Sequence, residues 1–281
     1  MIRRWGRRCR RRSRPDFTTD GQPRHVLPFD FVLPMSASFT YESLFVRRAT
    51  RRRARIRLVC FGWAGAGASM FAEWPALLPG EIEVLAVQLP GREDRIAESP
   101  RTDFIPLVGA VAQALRPYVD LQYAVFGHSA GALMAFEVAR ALRRHSPPSH
   151  LFVSAQPAPH LPPRHPPIHE LPPDEFAACV RQLDGTAGDI FENDDLLQLV
   201  LPALRADFSW GERYEFTPGP PLLSAITALG GVEDPRVSAC ELDAWHEHTA
   251  SRFARLSFAG GHFFLNDNTT AVVGALSQAL L

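Results

Sequence analysis

Gly-His-Ser-Ala-Gly at residues 127–131 constrains this chain more than any other feature, because of what flanks it. An apolar run, Tyr-Ala-Val-Phe (123–126), precedes it, and an amphipathic stretch from Ala132 to Arg144 follows. A G-x-S-x-G set between a strand and a helix reads as a nucleophile elbow, a sharp turn that holds the serine hydroxyl up and in the open. Ser129 is therefore the candidate nucleophile. The pattern alone is weak evidence, since Gly and Ser are common enough for it to arise by chance in roughly one chain in ten of this size. It needs partners.

An acid and then a histidine follow in the order this architecture demands. Asp234 lies in Gly-Gly-Val-Glu-Asp-Pro, just past the apolar run 222–229, and His262 lies in Ala-Gly-Gly-His-Phe-Phe-Leu, just past the run 253–258. Each of the three residues thus follows a predicted strand. Sites in open α/β sheets form at the carboxyl ends of strands, so this placement gathers distant residues. Glu233 and Asp243 are the nearest rivals to Asp234; the first faces away if the turn is tight, and the second falls inside a predicted helix.

The rest of the chain fits the same plan. Ile56–Phe61 and Ile82–Leu89 read as buried strands, separated by the glycine-rich stretch 62–67 and a short helix over Ser69–Leu78. Asp103–Leu115 has helical spacing and stops before Pro117; Leu151–Ala155 is another strand. A strand from Leu222, a helix over Cys240–His248, a strand over Phe253–Phe258 and a final helix over Thr269–Leu281 complete the pattern. Strands alternating with helices at this interval predict an α/β fold, a mainly parallel sheet with helices on both faces.

Between about residues 156 and 221 the alternation breaks. Ten prolines fall between Pro147 and Pro173, which forbids regular sheet there and favours extended chain. Helical segments are expected at Pro173–Leu183, Asn193–Leu199 and Pro202–Phe208. An insertion of this length reads as a lid over the serine and its pocket.

Charge is unevenly spread along the 281 residues. Residues 1–57 carry 16 Arg and 4 acidic residues, the remainder 14 Arg and 26 acidic, so a net charge of zero hides a basic arm of +12 before a body of −12. The first 34 residues, with eight Arg among the first 14 and no apolar core, are read as a disordered extension, with Met35 as a plausible true start. The domain proper is then 35–281. A nucleic-acid or anionic-membrane arm is the alternative for the extension. No run of about 18 apolar residues exists to cross a membrane. Four scattered cysteines without C-x-x-C spacing point to reduced thiols in a cytoplasmic protein, without a disulfide framework or a metal site. A monomer without nucleic-acid or membrane partners is expected.

A serine hydroxyl becomes nucleophilic when an adjacent imidazole takes its proton; His262 is suited to that, with Asp234 fixing its tautomer. The oxyanion formed needs backbone N–H donors. One is Ala130, at the start of the helix after the nucleophile; the second should come from the glycine-rich stretch 62–67. A glycine-rich turn can also cradle a dinucleotide, but its spacing is not G-x-G-x-x-G and Gln88 stands where an acidic ribose ligand would. His160, His165 and His169 are expected to be exposed, His246 and His248 to face apart on one helix, and His128 to pack or hydrogen-bond.

From about Arg57 onward the chain resembles the stand-alone type II thioesterases of polyketide and nonribosomal peptide synthesis. The resemblance rests on Cys-Phe-Gly-Trp-Ala-Gly-Ala-Gly (60–67), Leu-Pro-Gly-Arg-Glu-Asp-Arg (89–95), the elbow, Leu-Pro-Ala-Leu-Arg-Ala-Asp-Phe (201–208), Gly-Gly-Val-Glu-Asp-Pro-Arg-Val (230–237) and Gly-Gly-His-Phe-Phe-Leu (260–265). It implies an α/β-hydrolase fold with a helical lid, a triad of Ser129, Asp234 and His262, and oxyanion donors at the N–H groups of Ala64 and Ala130. It further implies a cofactor-free enzyme that hydrolyses stalled or aberrant acyl groups from the phosphopantetheine arm of acyl or peptidyl carrier proteins. A hydrolase of medium-chain acyl carrier proteins, acyl-CoA or small esters is the alternative within the class, and a scaffold without chemistry the alternative outside it. Gly62 stands where the family usually has proline, Ala66 where it has glycine, and Ala130 where methionine is commoner, which leaves more room beside the nucleophile. Because carrier proteins are usually acidic like this body, recognition is expected through apolar lid contacts and the pantetheine arm, unless the basic lead-in Arg47–Arg57 contributes.

Overall fold

Buried, nearly continuous apolar runs make the centre of the sheet, as expected for parallel strands covered on both faces. The computed structural model describes residues 39–181 and 194–281. The expectations for the 1–34 extension, for Met35 and for the lid stretch 182–193 lie outside these. Among the described residues the strands are β1 (Thr40–Tyr41), β2 (Val46–Ala49), β3 (Ile56–Phe61), β4 (Ile82–Val87), β5 (Gln122–His128), β6 (His150–Ser154), β7 (Ala225–Gly231) and β8 (Phe253–Phe258). They form one sheet in the order β1-β2-β4-β3-β5-β6-β7-β8. β1 and β2 join antiparallel, and every pairing from β4 to β8 is parallel.

The helices are α1 (Trp74–Leu77), α2 (Phe104–Leu115), α3 (Ala130–Leu142), α4 (Pro173–Arg181), α5 (Asp194–Arg213), α6 (Ala239–Asp243), α7 (Phe264–Asp267) and α8 (Thr269–Leu280). Leu107 and Val111 of α2 and Leu133 and Phe136 of α3 pack on one face of the sheet. Trp74 of α1 and Val272, Val273 and Leu276 of α8 pack on the other. A doubly covered sheet of this order is the α/β-hydrolase fold.

Several elements differ from expectation. The helix expected over Ser69–Leu78 is a 3-10 turn (Ala68–Phe71) followed by α1, which begins one residue before Pro75, where a missing N–H costs nothing. The helix over Cys240–His248 is α6 plus a 3-10 turn from Ala244. The segments expected on either side of Pro202 are one helix, α5, running through that proline. Its apolar residues Leu197, Leu201 and Leu204 pack with Phe176 and Val180 of α4, so tertiary burial overrides the local break. Leu222 makes only an isolated bridge to Thr249, and β7 starts at Ala225. Between β6 and α4, residues 155–172 contain neither helix nor strand, although β6 itself lies within the proline-rich range 147–173.

β1, β2 and α7 had no sequence signal. In β2 the signal is masked because Val-Arg-Arg-Ala buries an arginine. Arg47 is 1% exposed, paired with Asp94 at 2.7 Å and donating to the Ser43 carbonyl at 2.8 Å.

Candidate active site

The elbow is built by close backbone approach. Phe61 at the end of β3 pairs with Gly127 near the end of β5, so the glycine-rich loop and the elbow leave the sheet side by side. A Cβ on Gly127 would lie 2.1 Å from the Gly131 carbonyl oxygen, and one on Gly131 would lie 2.2 Å from that of Gly62. Only glycine fits at either position. Between them Ser129 adopts φ 54° and ψ −124°, held by its N–H on the Ser154 carbonyl at 2.8 Å and by the Ala132 N–H on its own carbonyl at 2.8 Å.

His262 Nε2 lies 3.0 Å from Ser129 Oγ, and His262 Nδ1 lies 2.9 Å from Asp234 Oδ2. The three residues come from the ends of β5, β7 and β8. The carboxylate of Asp234 is fully buried, and its other oxygen, Oδ1, accepts the backbone N–H groups of Arg236 at 2.8 Å and Val237 at 3.3 Å. Those bonds fix the carboxylate so that Oδ2 faces the imidazole. Glu233 is exposed, and Asp243 pairs instead with Arg255 at 2.7 Å, so neither rivals Asp234.

His128, fully buried, packs beneath this chain. Its Nδ1 meets Ser154 Oγ at 2.9 Å, and its ring lies against Trp63, His262 and Phe263. Burial, with the nearby His262 second, pushes its pKa well below the ordinary value, so it stays neutral. Its ring therefore adds no positive charge beside His262.

Ala130 is the first residue of α3, directly after Ser129. Ala64 sits in the loop after β3 and packs, half-buried, against the apolar cluster of α4 and α5. Two of the positions where the sequence departs from the family pattern are neighbours in space. A Cβ at position 62 would come within 2.9 Å of the Ala66 Cβ, so the methyl group at 66 occupies the room that a side chain at 62 would need.

Among the other histidines, two of the expected exposures are corrected. His169 is 8% exposed, its Nδ1 bonded to Glu212 of α5, because α5 folds over the proline-rich stretch. His160 is half-buried, its Nδ1 at 2.7 Å from Nε2 of the buried His248. His165 and His246 are exposed. Cys60, Cys179 and Cys240 are free.

A serine, an imidazole and a buried carboxylate in hydrogen-bonded series at the carboxyl edge of such a sheet define the serine hydrolases of the α/β-hydrolase class. Within that class the chain belongs to the thioesterase domain family, whose match covers residues 56–280. It is 40% identical over 232 residues to linear gramicidin dehydrogenase LgrE of Brevibacillus parabrevis (81% of this chain, 88% of that protein). It is 39% identical over 238 residues to gramicidin S biosynthesis protein GrsT of Aneurinibacillus migulanus (84% of this chain, 93% of that protein). Among solved structures it is similar to the type II thioesterase BorB from the borrelidin biosynthetic cluster, with TM-score 0.80 and 38% identity over 86% of this chain and all of that one. Gln88, which stands where a dinucleotide site would place an acidic residue, is fully buried, its amide oxygen accepting the Ala68 N–H at 2.6 Å and its amide nitrogen donating to the Arg92 carbonyl at 2.8 Å.

Proposed function

We propose that this enzyme, a thioester hydrolase, frees stalled or aberrant acyl groups from the phosphopantetheine arm of acyl or peptidyl carrier proteins in polyketide or nonribosomal peptide synthesis, acting as a monomer in the cytoplasm. The observation that carries the reading is the unbroken series Asp234–His262–Ser129, with both links at hydrogen-bond distance. Kinship to thioesterases of such pathways supplies the substrate class.

In this reading Ser129 Oγ attacks the thioester carbonyl while its proton passes to His262 Nε2, and Asp234 stabilises the imidazolium. The oxyanion is met by the N–H groups of Ala64 and Ala130, the latter at the positive end of α3. Collapse breaks the C–S bond, and His262 returns the proton to the departing pantetheine thiolate. A water molecule, deprotonated by His262, then attacks the acyl-serine, releasing the carboxylic acid and restoring Ser129. α4 and α5, from the insertion, form the lid that excludes bulk water. These side chains and amides move every proton and meet every charge, so the reaction as written uses no cofactor.

The test is hydrolysis of acetyl and longer acyl groups from a phosphopantetheinylated carrier protein, beside matched acyl-CoA and the Ser129→Ala variant. Rapid, Ser129-dependent release from the carrier in preference to acyl-CoA is expected. Brisk cleavage of acyl-CoA or small esters with no release from the carrier would overturn the editing role while leaving the hydrolase chemistry intact.

A further inference from the structure

Asp207 of α5 is 2% exposed and lies 142 residues from Gly65 in sequence, yet it is bonded to the glycine loop. Its Oδ2 accepts the Gly65 N–H at 2.8 Å and Arg92 Nη1 at 2.5 Å, and its Oδ1 accepts Arg92 Nη2 at 2.9 Å. Arg92, 4% exposed, also donates to the Ala66 carbonyl at 3.4 Å and to that of Pro90 at 3.3 Å. One turn earlier on α5, Leu204 lies 2.8 Å from where a Cβ on Gly65 would stand.

The loop itself is a turn with two available forms. The Ala66 N–H closes onto the Trp63 carbonyl at 3.0 Å, and Gly65, third of the four residues, has φ 79°. That is the type II form, which differs from type I by a flip of the central Ala64–Gly65 peptide. The N–H of that same peptide is the one Asp207 holds. Flipping it would break that hydrogen bond and turn the Ala64 carbonyl oxygen toward the carboxylate that Arg92 holds in place, so the ion pair favours one form of the turn.

A buried ion pair is a poor device for stability, since apolar residues of the same volume do as well or better. A bidentate arginine–carboxylate pair does fix geometry. We infer that Asp207, oriented by Arg92, is the positioning residue for the oxyanion loop, which makes α5 and the Ala64 N–H one mechanical unit. This rests on the proposed chemistry at Ser129. Displacing α5 would disassemble the oxyanion site, so hydrolysis is confined to the state in which α5 is seated.

The test compares Asp207→Asn with the double variant Asp207→Leu/Arg92→Met, which removes both charges at similar volume and keeps the fold testable if the single change impairs folding. Each is assayed on an acyl carrier protein and titrated with two pantetheine ligands. An acyl trifluoromethyl ketone adds Ser129 Oγ to its carbonyl, passes the serine proton to His262 and leaves an oxyanion. The matching thioether develops none. For both variants kcat is expected to fall about 100-fold with KM within about threefold, as for a displaced oxyanion donor. Kd for the ketone should rise by about the same factor while that for the thioether stays within about threefold, and Arg92→Lys should fall between these variants and the natural enzyme. Folded variants with unchanged kcat, or with both ligands weakened alike, would overturn the inference. Hydrolysis surviving in Ser129→Ala would instead overturn the chemistry beneath it.

Discussion

Ser129 occupies backbone space that costs an L residue on the order of 1–3 kcal/mol and persists only where the surroundings enforce it. The enforcement is contact between main chains. A methyl group on Gly131 would lie 2.2 Å from the Gly62 oxygen and 2.5 Å from that of Phe61, backbone atoms that cannot swing aside as a side chain would. Gly131→Ala is therefore expected to destabilise the protein by roughly 2–3 kcal/mol and to lower kcat, because α3 and the Ala130 N–H must shift. Gly109, in mid-α2 with nothing within 4 Å of its Cβ position, is the contrast. There alanine should stabilise by about 0.5–1 kcal/mol and leave kcat unchanged. Thermal unfolding and hydrolysis of the two variants side by side check both signs. The same glycines made the elbow legible in sequence, since each is required by a close approach that no other residue permits. Asp207 was not legible in that way. It and its partners Gly65 and Arg92 lie in three motifs that carry the family resemblance (201–208, 60–67 and 89–95), but these are remote in sequence and nothing in their spacing says that the three residues meet.

At the scale of elements, strands β3 to β7 were readable because burial on both faces gives nearly continuous apolar runs, and the edge strand β8, which is half-exposed, because Phe253, Leu256 and Phe258 still mark it; α5 was misread because a proline was taken as a stop. Pro202 removes the N–H that would bond the Gln198 carbonyl, and its ring crowds that oxygen. The helix survives because residues on both sides of the break are buried together, Leu197 and Leu201 before and within the turn and Leu204 after it. Pro202 itself is exposed, so alanine there disturbs no packing. Pro202→Ala should restore the bond and relieve the clash, with the gain partly offset by a more flexible unfolded chain. A net gain of about 1–2 kcal/mol is expected, read as a higher urea midpoint with an unchanged m-value. An unchanged midpoint would mean that Pro202 costs α5 no stability.

For the molecule as a whole, several imidazoles are folded into the body in neutral form. His150 stacks on Phe152 at 4.0 Å and bonds Thr227 Oγ1 at 2.8 Å, and burial, with Arg252 second, lowers its pKa to about 4. His248 is lowered to about 4 by burial, followed by the charges of His160, Arg140 and His246. In the unfolded chain both would titrate near 6.5. Below that pH the unfolded state binds protons that the native state refuses, so stability is full above about pH 6.5 and declines as pH falls toward about 4. Each imidazole accounts for roughly 1–2 kcal/mol of that decline, allowing for the solvent that both rings still meet. Carboxylates held low by arginine, such as Glu98 through its bonds to Arg95, lose their contribution mainly below about pH 4.5. Urea midpoints between pH 7.5 and 5 therefore isolate the histidines. His150→Gln keeps a side-chain partner for Thr227 but cannot take up a proton. It should lower stability at pH 7.5 through the lost stacking, yet shrink the fall between pH 7.5 and 5 by about 1 kcal/mol. A fall as steep as that of the natural chain would show that His150 is protonated in the folded state, and the neutral-interior account would fail at that residue.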